Sequence, residues 1–211
     1  MRFDPKNPRA TNNDKFILSK GHAAPILYAA WAEAGFVDKA ELKNLRKYGC
    51  DLEGHPTPRL EFVDVATGSL GQGLNAGVGM AYSMKFFEKS SNKVFVVVGD
   101  AEIQEGSNWE AMNFASFYKL DNVVVLLDAN RLGQSAATSL EHDIEAHKAR
   151  FESFGFNTLV ADGHDIGAIA DALKKAHENT GKPTGIILKT IKGKGCSDER
   201  EDQQKLSLIH I

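Results

Sequence analysis

The sequence predicts an α/β fold in which a parallel sheet carries helices on both faces. Three observations predict it. Short β-branched runs are bounded by turn residues, helical segments alternate with them along the chain, and no internal repeat interrupts this order. Strands that alternate with helices imply parallel crossover connections. The chain has 211 residues, of which 42% are hydrophobic, and this is enough for one domain with a sizeable core.

The elements are predicted from hydrophobic periodicity and residue type. Buried strands are indicated by short apolar runs at residues 93–98 (KVFVVV), 123–127 (VVVLL), 158–160 and 185–188. Helices are indicated at residues 25–34, 70–88, 109–118, 145–154 and 166–178. The helix over 70–88 is rich in Gly and Ala, and its apolar stripe consists of Leu74, Val78, Tyr82 and Phe86.

Composition excludes several classes of function. The net charge of −3 argues against a nucleic-acid partner. No apolar run approaches the roughly 18–20 residues of a membrane span, and the polar first residues do not resemble a signal peptide. Two cysteines, Cys50 and Cys196, do not make a disulfide framework, so we expect a reducing, cytoplasmic compartment.

Polar side chains follow two successive predicted strands. Asp100 comes after the first, and Asp128 and Asn130 come at the end of the second. Ligands of parallel sheets lie at the carboxyl ends of strands, so these side chains can converge. Carboxylate and amide oxygens suit Mg²⁺ or Ca²⁺, with water and a phosphate completing the shell. Any one of these residues alone is more simply a turn or helix-cap residue, and Asp128 competes as a ligand on spacing alone.

These residues lie in segments that resemble the thiamine diphosphate motif of transketolases. The motif is carried by residues 99–106 (GDAEIQEG) and 130–135 (NRLGQS). The resemblance extends in order to residues 19–25 (SKGHAAP), 53–56 (EGHP), 67–73 (TGSLGQG) and 189–195 (KTIKGKG). The sequences of two of these segments, SKGHAAP and NRLGQS, are most similar to those of animal transketolases.

The resemblance implies a role for each matching residue. Asp100 and Asn130 would give side-chain oxygens to Mg²⁺, and Leu132 would give its backbone carbonyl, with Ca²⁺ as a possible substitute. His22 would contact the cofactor diphosphate, and His55 would bind hydroxyls of the ketose donor. The remaining residues implied to bind thiamine diphosphate are Gly68, Ser69, Leu70, Ala101, Asn130, Gln134 and Lys192.

Three further polar residues have weaker assignments. Glu105 and Glu110 match two acids that the family places near its subunit interface. Compensation of the helix dipole explains Glu105 equally well from spacing alone. We interpret His164 as a structural residue in a turn before a helix.

The reaction implied is the transfer of a two-carbon ketol unit from a ketose phosphate to an aldose phosphate, in the pentose phosphate pathway. The implied partners are sugar phosphates, together with a homodimeric arrangement in the full-length enzyme or association with a pyrimidine-domain chain. Neither a nucleic acid nor a membrane is an expected partner. We predict three regions: a coil or truncated edge over 1–14, the diphosphate-binding domain over 15–195, and a divergent tail over 196–211.

The match to the family is incomplete in four respects. The earlier segment with a substrate-binding His and Ser, and the later pyrimidine-binding domain, have no counterpart here, so we expect the isolated chain to be inactive. The tail lacks the family's cofactor-contacting His, and His210 does not align with it. Ala101 stands where the family has Gly. A positive φ at this position would cost on the order of 1 kcal/mol, whereas a negative φ would leave mostly an added methyl group, and crowding by that group would decide its effect.

Three alternative functions remain open from the sequence. One is another thiamine diphosphate enzyme of the dihydroxyacetone synthase, phosphoketolase or deoxyxylulose phosphate synthase type. The second is a non-catalytic, truncated paralogue. The third is an unrelated doubly wound protein with chance motifs.

Overall fold

The computed structural model describes residues 1–4 and 6–195, and in this part of the chain five parallel strands form one sheet. The strand order is β1-β2-β3-β5-β4. The strands are β1 (Lys15–Leu18), β2 (Val94–Gly99), β3 (Val123–Ala129), β4 (Asn157–Asp162) and β5 (Thr184–Lys189). The predicted α/β class with a parallel sheet is confirmed.

Five α-helices lie among the described residues, close to their predicted positions. They are α1 (Ala24–Glu33), α2 (Gln72–Phe86), α3 (Gly106–Phe117), α4 (Ile144–Ser153) and α5 (Ile166–Glu178). Helix α3 begins three residues before its predicted start. The sequence reading missed β1, which has four residues and pairs only with β2 at the edge of the sheet. So short a segment carries no periodicity of its own that would reveal it.

The strand order places the helices on two faces. The chain moves in one direction from β1 through β2 and β3 to β4, and then steps back to β5. Helices α2, α3 and α4 pack on one face against residues such as Val96 and Val125. Helix α5 packs on the other face against alternate residues such as Phe95 and Leu126. The sheet is therefore buried on both sides, which explains its β-branched strands.

Helix α2 lies close to the sheet and then leaves it. A Cβ atom at Gly77 would lie 2.6 Å from Cγ2 of Val96, so glycine permits the close approach. Along the predicted stripe Leu74 and Val78 are buried, whereas Tyr82 is half-buried and Phe86 is exposed. The stripe thus faces the core only over its first half.

Because all the strand pairs are parallel, the carboxyl ends of the five strands lie at one edge of the sheet. Loops after β1, β2, β3 and β5 meet there, and they contain most of the predicted site residues. The tail hypothesis for residues 196–211 falls outside the described residues. In the described part of the chain, no helix has the length and apolar character needed to cross a membrane.

Candidate functional site

A cavity of about 700 Å³ lies at the carboxyl edge of the sheet. The predicted residues that line it are His22, His55, Gly68, Leu70, Asp100, Ala101, Asn130, Leu132, Gln134 and Lys192. Ser69, next to Leu70, is exposed and does not line the cavity. A wider depression of about 920 Å³ lies over the segment from Phe36 to Phe62, and none of the predicted site residues lines it.

Asp100 contacts the turn that follows β3. Its Oδ2 accepts a hydrogen bond from the Arg131 backbone N–H at 2.6 Å and one from the Thr138 hydroxyl at 3.3 Å. Arg131 has φ of 65°, a left-handed conformation that is uncommon outside glycine. The turn is stabilised further because Oδ1 of Asn130 accepts from the Leu132 N–H at 3.1 Å. The structure therefore brings Asp100 against the Asn130–Leu132 turn.

Burial changes the acidity of Asp100. Asp100 is only 2% exposed to solvent. The pKa of Asp100 is raised to about 6, mainly by desolvation and also by the charge of Asp128, although hydrogen bonds from Arg131 and Ala101 and the charge of Lys20 act in the opposite sense. A buried carboxylate that is costly to ionise is stabilised by a cation placed beside it.

Asp128 has partners of its own. It forms an ion pair with Lys20, accepts from the Thr190 hydroxyl, and accepts from Nδ2 of Asn130 at 3.0 Å. Burial raises the pKa of Asp128, but Lys20 and these hydrogen bonds outweigh burial and hold it below its ordinary value. The Lys20 ammonium already neutralises the charge of Asp128, so the electrostatics favour Asp100 over Asp128 as a carboxylate for a metal ion.

Positively charged side chains, Lys20 and Lys192, also line the cavity. Nζ of Lys192 donates to the Gly133 carbonyl at 3.1 Å. Burial and the neighbouring Lys20 lower the pKa of Lys192. Burial also lowers the pKa of His22 to about 4, with contributions from Lys20, Lys192 and His55. His22 is thus a neutral imidazole at neutral pH, in a field that favours a bound anion.

Glu102 joins three segments of the site, a role that the sequence reading did not assign. The side chain is buried, and its carboxylate accepts from the Ser19 hydroxyl at 2.5 Å, from the Gly71 N–H at 3.0 Å and from the Gly99 N–H at 3.1 Å. These donors lie in the loop after β1, the loop before α2 and the end of β2. One buried carboxylate therefore fixes the relative positions of three loops around the cavity.

Gly68 takes a conformation that favours glycine. Its φ is 151°, and a Cβ atom there would lie 2.9 Å from Cδ2 of His55. The absence of a side chain lets the His55 ring lie against the backbone of this loop. His55 and the 67–70 loop consequently share one wall of the cavity.

The backbone at Ala101 decides between the two outcomes stated for it. Its φ is −72° and its ψ is −40°, so the residue is in the right-handed helical region. Its N–H donates to Oδ1 of Asp100 at 2.9 Å. The expectation of strain applied only to a positive φ, and here alanine adds a methyl group without backbone strain.

We predict that Ala101→Gly leaves the affinity for magnesium and thiamine diphosphate within about threefold of the wild type, because no strain is relieved. The free energy of unfolding should fall by about 0.5–1 kcal/mol, since glycine increases the entropy of the unfolded chain. Calorimetric titration and urea unfolding measure the two quantities. A tenfold gain in affinity would show that the methyl group of Ala101 crowds the bound diphosphate.

Three other predicted residues occupy different surroundings. Glu105 is the N-cap residue of α3 without a side-chain capping bond, and Glu110 lies on the same helix. Both are exposed, and their interface role stays a prediction. His164 lies in the turn before α5 as expected, but its imidazole also lines the cavity, and its Nε2 accepts from the Ile191 N–H at 2.8 Å.

A parallel sheet whose carboxyl edge gathers a buried carboxylate, an amide and two lysines is typical of α/β domains that hold a phosphorylated ligand with a divalent cation. Comparison with known proteins gives the family. The family model described as "Transketolase, thiamine diphosphate binding domain" matches residues 1–206. The chain belongs to the transketolase family.

Individual relatives agree with this assignment. Over 195 residues, 92% of the chain, it is 57% identical to transketolase-like protein 2 of Mus musculus. It is 55% identical to the transketolase of Homo sapiens over 93% of the chain. The crystal structure of transketolase from Campylobacter jejuni superposes with a TM-score of 0.89 at 35% identity, and it covers 97% of the chain.

The chain is much shorter than these relatives. It covers 31% of both curated proteins and 33% of the Campylobacter jejuni chain. A transketolase of Pichia stipitis in complex with sedoheptulose 7-phosphate gives a TM-score of 0.87 at 31% identity, with 98% of this chain and 32% of that chain covered. The likeness therefore extends over nearly all of this chain and about a third of each relative.

Proposed function

We propose that this chain anchors the diphosphate of thiamine diphosphate through Mg²⁺, within an enzyme that transfers a two-carbon ketol unit between sugar phosphates. One observation carries the proposal. The buried Asp100 carboxylate lies against the Asn130–Leu132 turn, and Lys192 lines the same cavity. Family membership supports thiamine diphosphate as the ligand.

The chemistry of the donors fits a magnesium ion. Within residues 1–4 and 6–195 there is no group of three or more His, Cys, Asp or Glu side chains that could hold a metal. A site here must therefore use fewer acids, and Asp100, the Asn130 amide oxygen and the Leu132 carbonyl supply hard oxygens of the kind that Mg²⁺ prefers. Ca²⁺ has the same ligand chemistry and is a possible substitute.

The chain's own residues would hold and orient the cofactor. Lys192 and the neutral His22 offer donors toward a diphosphate, and the loop that begins at Gly68 brings backbone close to it. His55 lies against that loop, in a position to donate to a hydroxyl of the ketose. When bound, thiamine diphosphate supplies the electron sink for cleavage of the bond beside the ketose carbonyl.

The relatives support a proposal for the substrates and partners. A Pichia stipitis transketolase was solved with sedoheptulose 7-phosphate, a ketose phosphate. We infer that sugar phosphates are also the substrates here, in the pentose phosphate pathway. We further infer that the catalytic unit pairs this domain with a pyrimidine-binding domain, as a homodimer of a longer chain or with a separate chain.

The test is a calorimetric titration of the chain with thiamine diphosphate, with Mg²⁺ and with EDTA. We expect binding that needs both the metal and the diphosphate, weakened at least about tenfold without Mg²⁺. Thiamine without its diphosphate is the matched control ligand. Equal affinity for thiamine and thiamine diphosphate would contradict diphosphate anchoring.

A second measurement concerns catalysis. Ketol transfer from xylulose 5-phosphate to ribose 5-phosphate should be undetectable with the chain alone. It should appear when a pyrimidine-binding partner is added. Cofactor binding without any turnover in the presence of such a partner would favour a non-catalytic paralogue.

A further inference from the structure

One peptide group beside the proposed site is held by two histidines. The peptide between Thr190 and Ile191 follows β5, and Ile191 directly precedes Lys192. Its carbonyl oxygen, on Thr190, lies 2.8 Å from Nε2 of His142. Its N–H, on Ile191, donates to Nε2 of His164 at 2.8 Å. The two imidazoles come from separate loops, one before α4 and one before α5.

The two histidines must differ in protonation at Nε2. A carbonyl oxygen only accepts, so His142 has to carry a proton on Nε2. A backbone N–H only donates, so Nε2 of His164 has to be unprotonated and its ring proton has to lie on Nδ1. Together they match the donor and acceptor of one peptide, and this fixes which way the peptide points.

Neighbouring contacts hold the same short loop. The Thr190 N–H donates to the Ala129 carbonyl at 3.2 Å, and its hydroxyl donates to Asp128. The Gly163 N–H donates to the Lys189 carbonyl at 2.9 Å, and a Cβ atom on Gly163 would lie 2.3 Å from Cγ2 of Thr190. The turn that carries His164 is therefore packed directly against the loop that carries Lys192.

We propose that His142 and His164 are positioning residues that clamp the Thr190–Ile191 peptide and thereby place the Lys192 ammonium at the diphosphate site. This inference rests on the proposed function. Neither histidine has to touch the cofactor for the effect. Each acts through a hydrogen bond to the peptide, and the peptide sets the direction in which the chain enters Lys192.

The first part of the test needs no ligand. In the ¹⁵N-labelled chain at pH 8, imidazole nitrogen correlations should show the Nε2–H tautomer for His142 and the Nδ1–H tautomer for His164. A proton on Nε2 of His164, or its absence from Nε2 of His142, would overturn the clamp.

The second part measures the affinity for thiamine diphosphate in the presence of Mg²⁺. His164→Ala should weaken binding about fivefold, the size expected for one net hydrogen bond. His164→Gln should restore most of the affinity, because a glutamine oxygen can accept from Ile191. His177→Ala, which removes an exposed histidine on α5, is the matched control and should bind like the wild type.

The third part is a double-mutant cycle with Lys192→Ala. If His164 acts through Lys192, His164→Ala should cause no further loss in that background. An equal loss in both backgrounds would overturn the positioning role while leaving the proposed function intact. Failure of the wild type to bind would instead overturn the proposed function, and the tautomers would still report on the clamp.

Discussion

Asp100→Asn is expected to abolish binding of magnesium and thiamine diphosphate while it stabilises the ligand-free chain. Affinity should fall by more than about 100-fold, because loss of outer-shell partners alone commonly costs 10–100-fold in metal affinity. The gain in stability has a separate origin. At neutral pH the folded chain must keep a buried carboxylate ionised.

The pH dependence follows from the two states of Asp100. Its ordinary pKa is 3.8, and burial raises it to about 6 in the folded chain. The folded state therefore binds more protons between these values, and the stability that this proton contributes is lost as the pH rises through about 6. A shift of this size corresponds to at most about 3 kcal/mol.

The asparagine variant does not undergo this loss. At pH 7.5 we expect its free energy of unfolding to exceed that of the wild type by about 1–3 kcal/mol, toward the lower value because its amide cannot accept from both Arg131 and Ala101. The difference should shrink as the pH falls toward 4. Urea unfolding without divalent cations at pH 7.5 and pH 4.5 measures it.

Asp171→Asn is the matched control, since it removes an exposed carboxylate on α5. It should change neither stability nor affinity by a measurable amount. Retained binding by Asp100→Asn would show that this carboxylate is not a metal ligand. A loss of stability at pH 7.5 would show that its hydrogen bonds outweigh the cost of burying its charge.

Glu102→Ala is expected to cause the largest loss of stability among the site residues, about 3–5 kcal/mol. The substitution leaves the hydroxyl of Ser19 and the N–H groups of Gly71 and Gly99 without their acceptor in a buried place. Glu102→Gln keeps one acceptor oxygen but turns an NH₂ group toward donors, so an intermediate loss is expected. Urea unfolding measures both variants.

Cofactor affinity should fall with stability in the Glu102 variants, because three loops around the cavity lose their common acceptor. Glu178→Ala, at the exposed end of α5, is the control and should unfold like the wild type. If Glu102→Ala stayed within about 1 kcal/mol of the wild type, the three donors would have found other acceptors, and Glu102 would not determine the shape of the site.

The strands and the loops after them were predictable because their signal is local. A buried, largely β-branched run such as Val123–Ala129 can be recognised as a strand without knowledge of the strands it pairs with. The polar turn that follows it can be recognised in the same way. The position of Asp100 next to the turn after β3 then followed from the rule that parallel strands end at one edge. The edge strand Lys15–Leu18 was missed because four residues that pair on one side carry little pattern.

The identity of the polar partners was not predictable in the same way. Asp128 competed with Asp100 as a ligand on spacing alone, and only the ion pair with Lys20 separates them. That contact joins residues 108 positions apart, and the Ser19–Glu102 contact joins residues 83 positions apart. His164 was predicted only as a turn residue, because nothing in the sequence around it indicates the hydrogen bond that its Nε2 accepts from Ile191.

By itself the sequence determined the α/β class and the loops that hold the candidate site. Strand burial and turn formation depend mainly on residues that are close together in the sequence. Only the tertiary structure decided that Ala101 is unstrained, that Asp128 is paired with Lys20, and that Glu102 and two histidines hold the loops in place. The physical reason is that a backbone torsion and a choice of hydrogen-bond partner depend on which distant segments the sheet brings together.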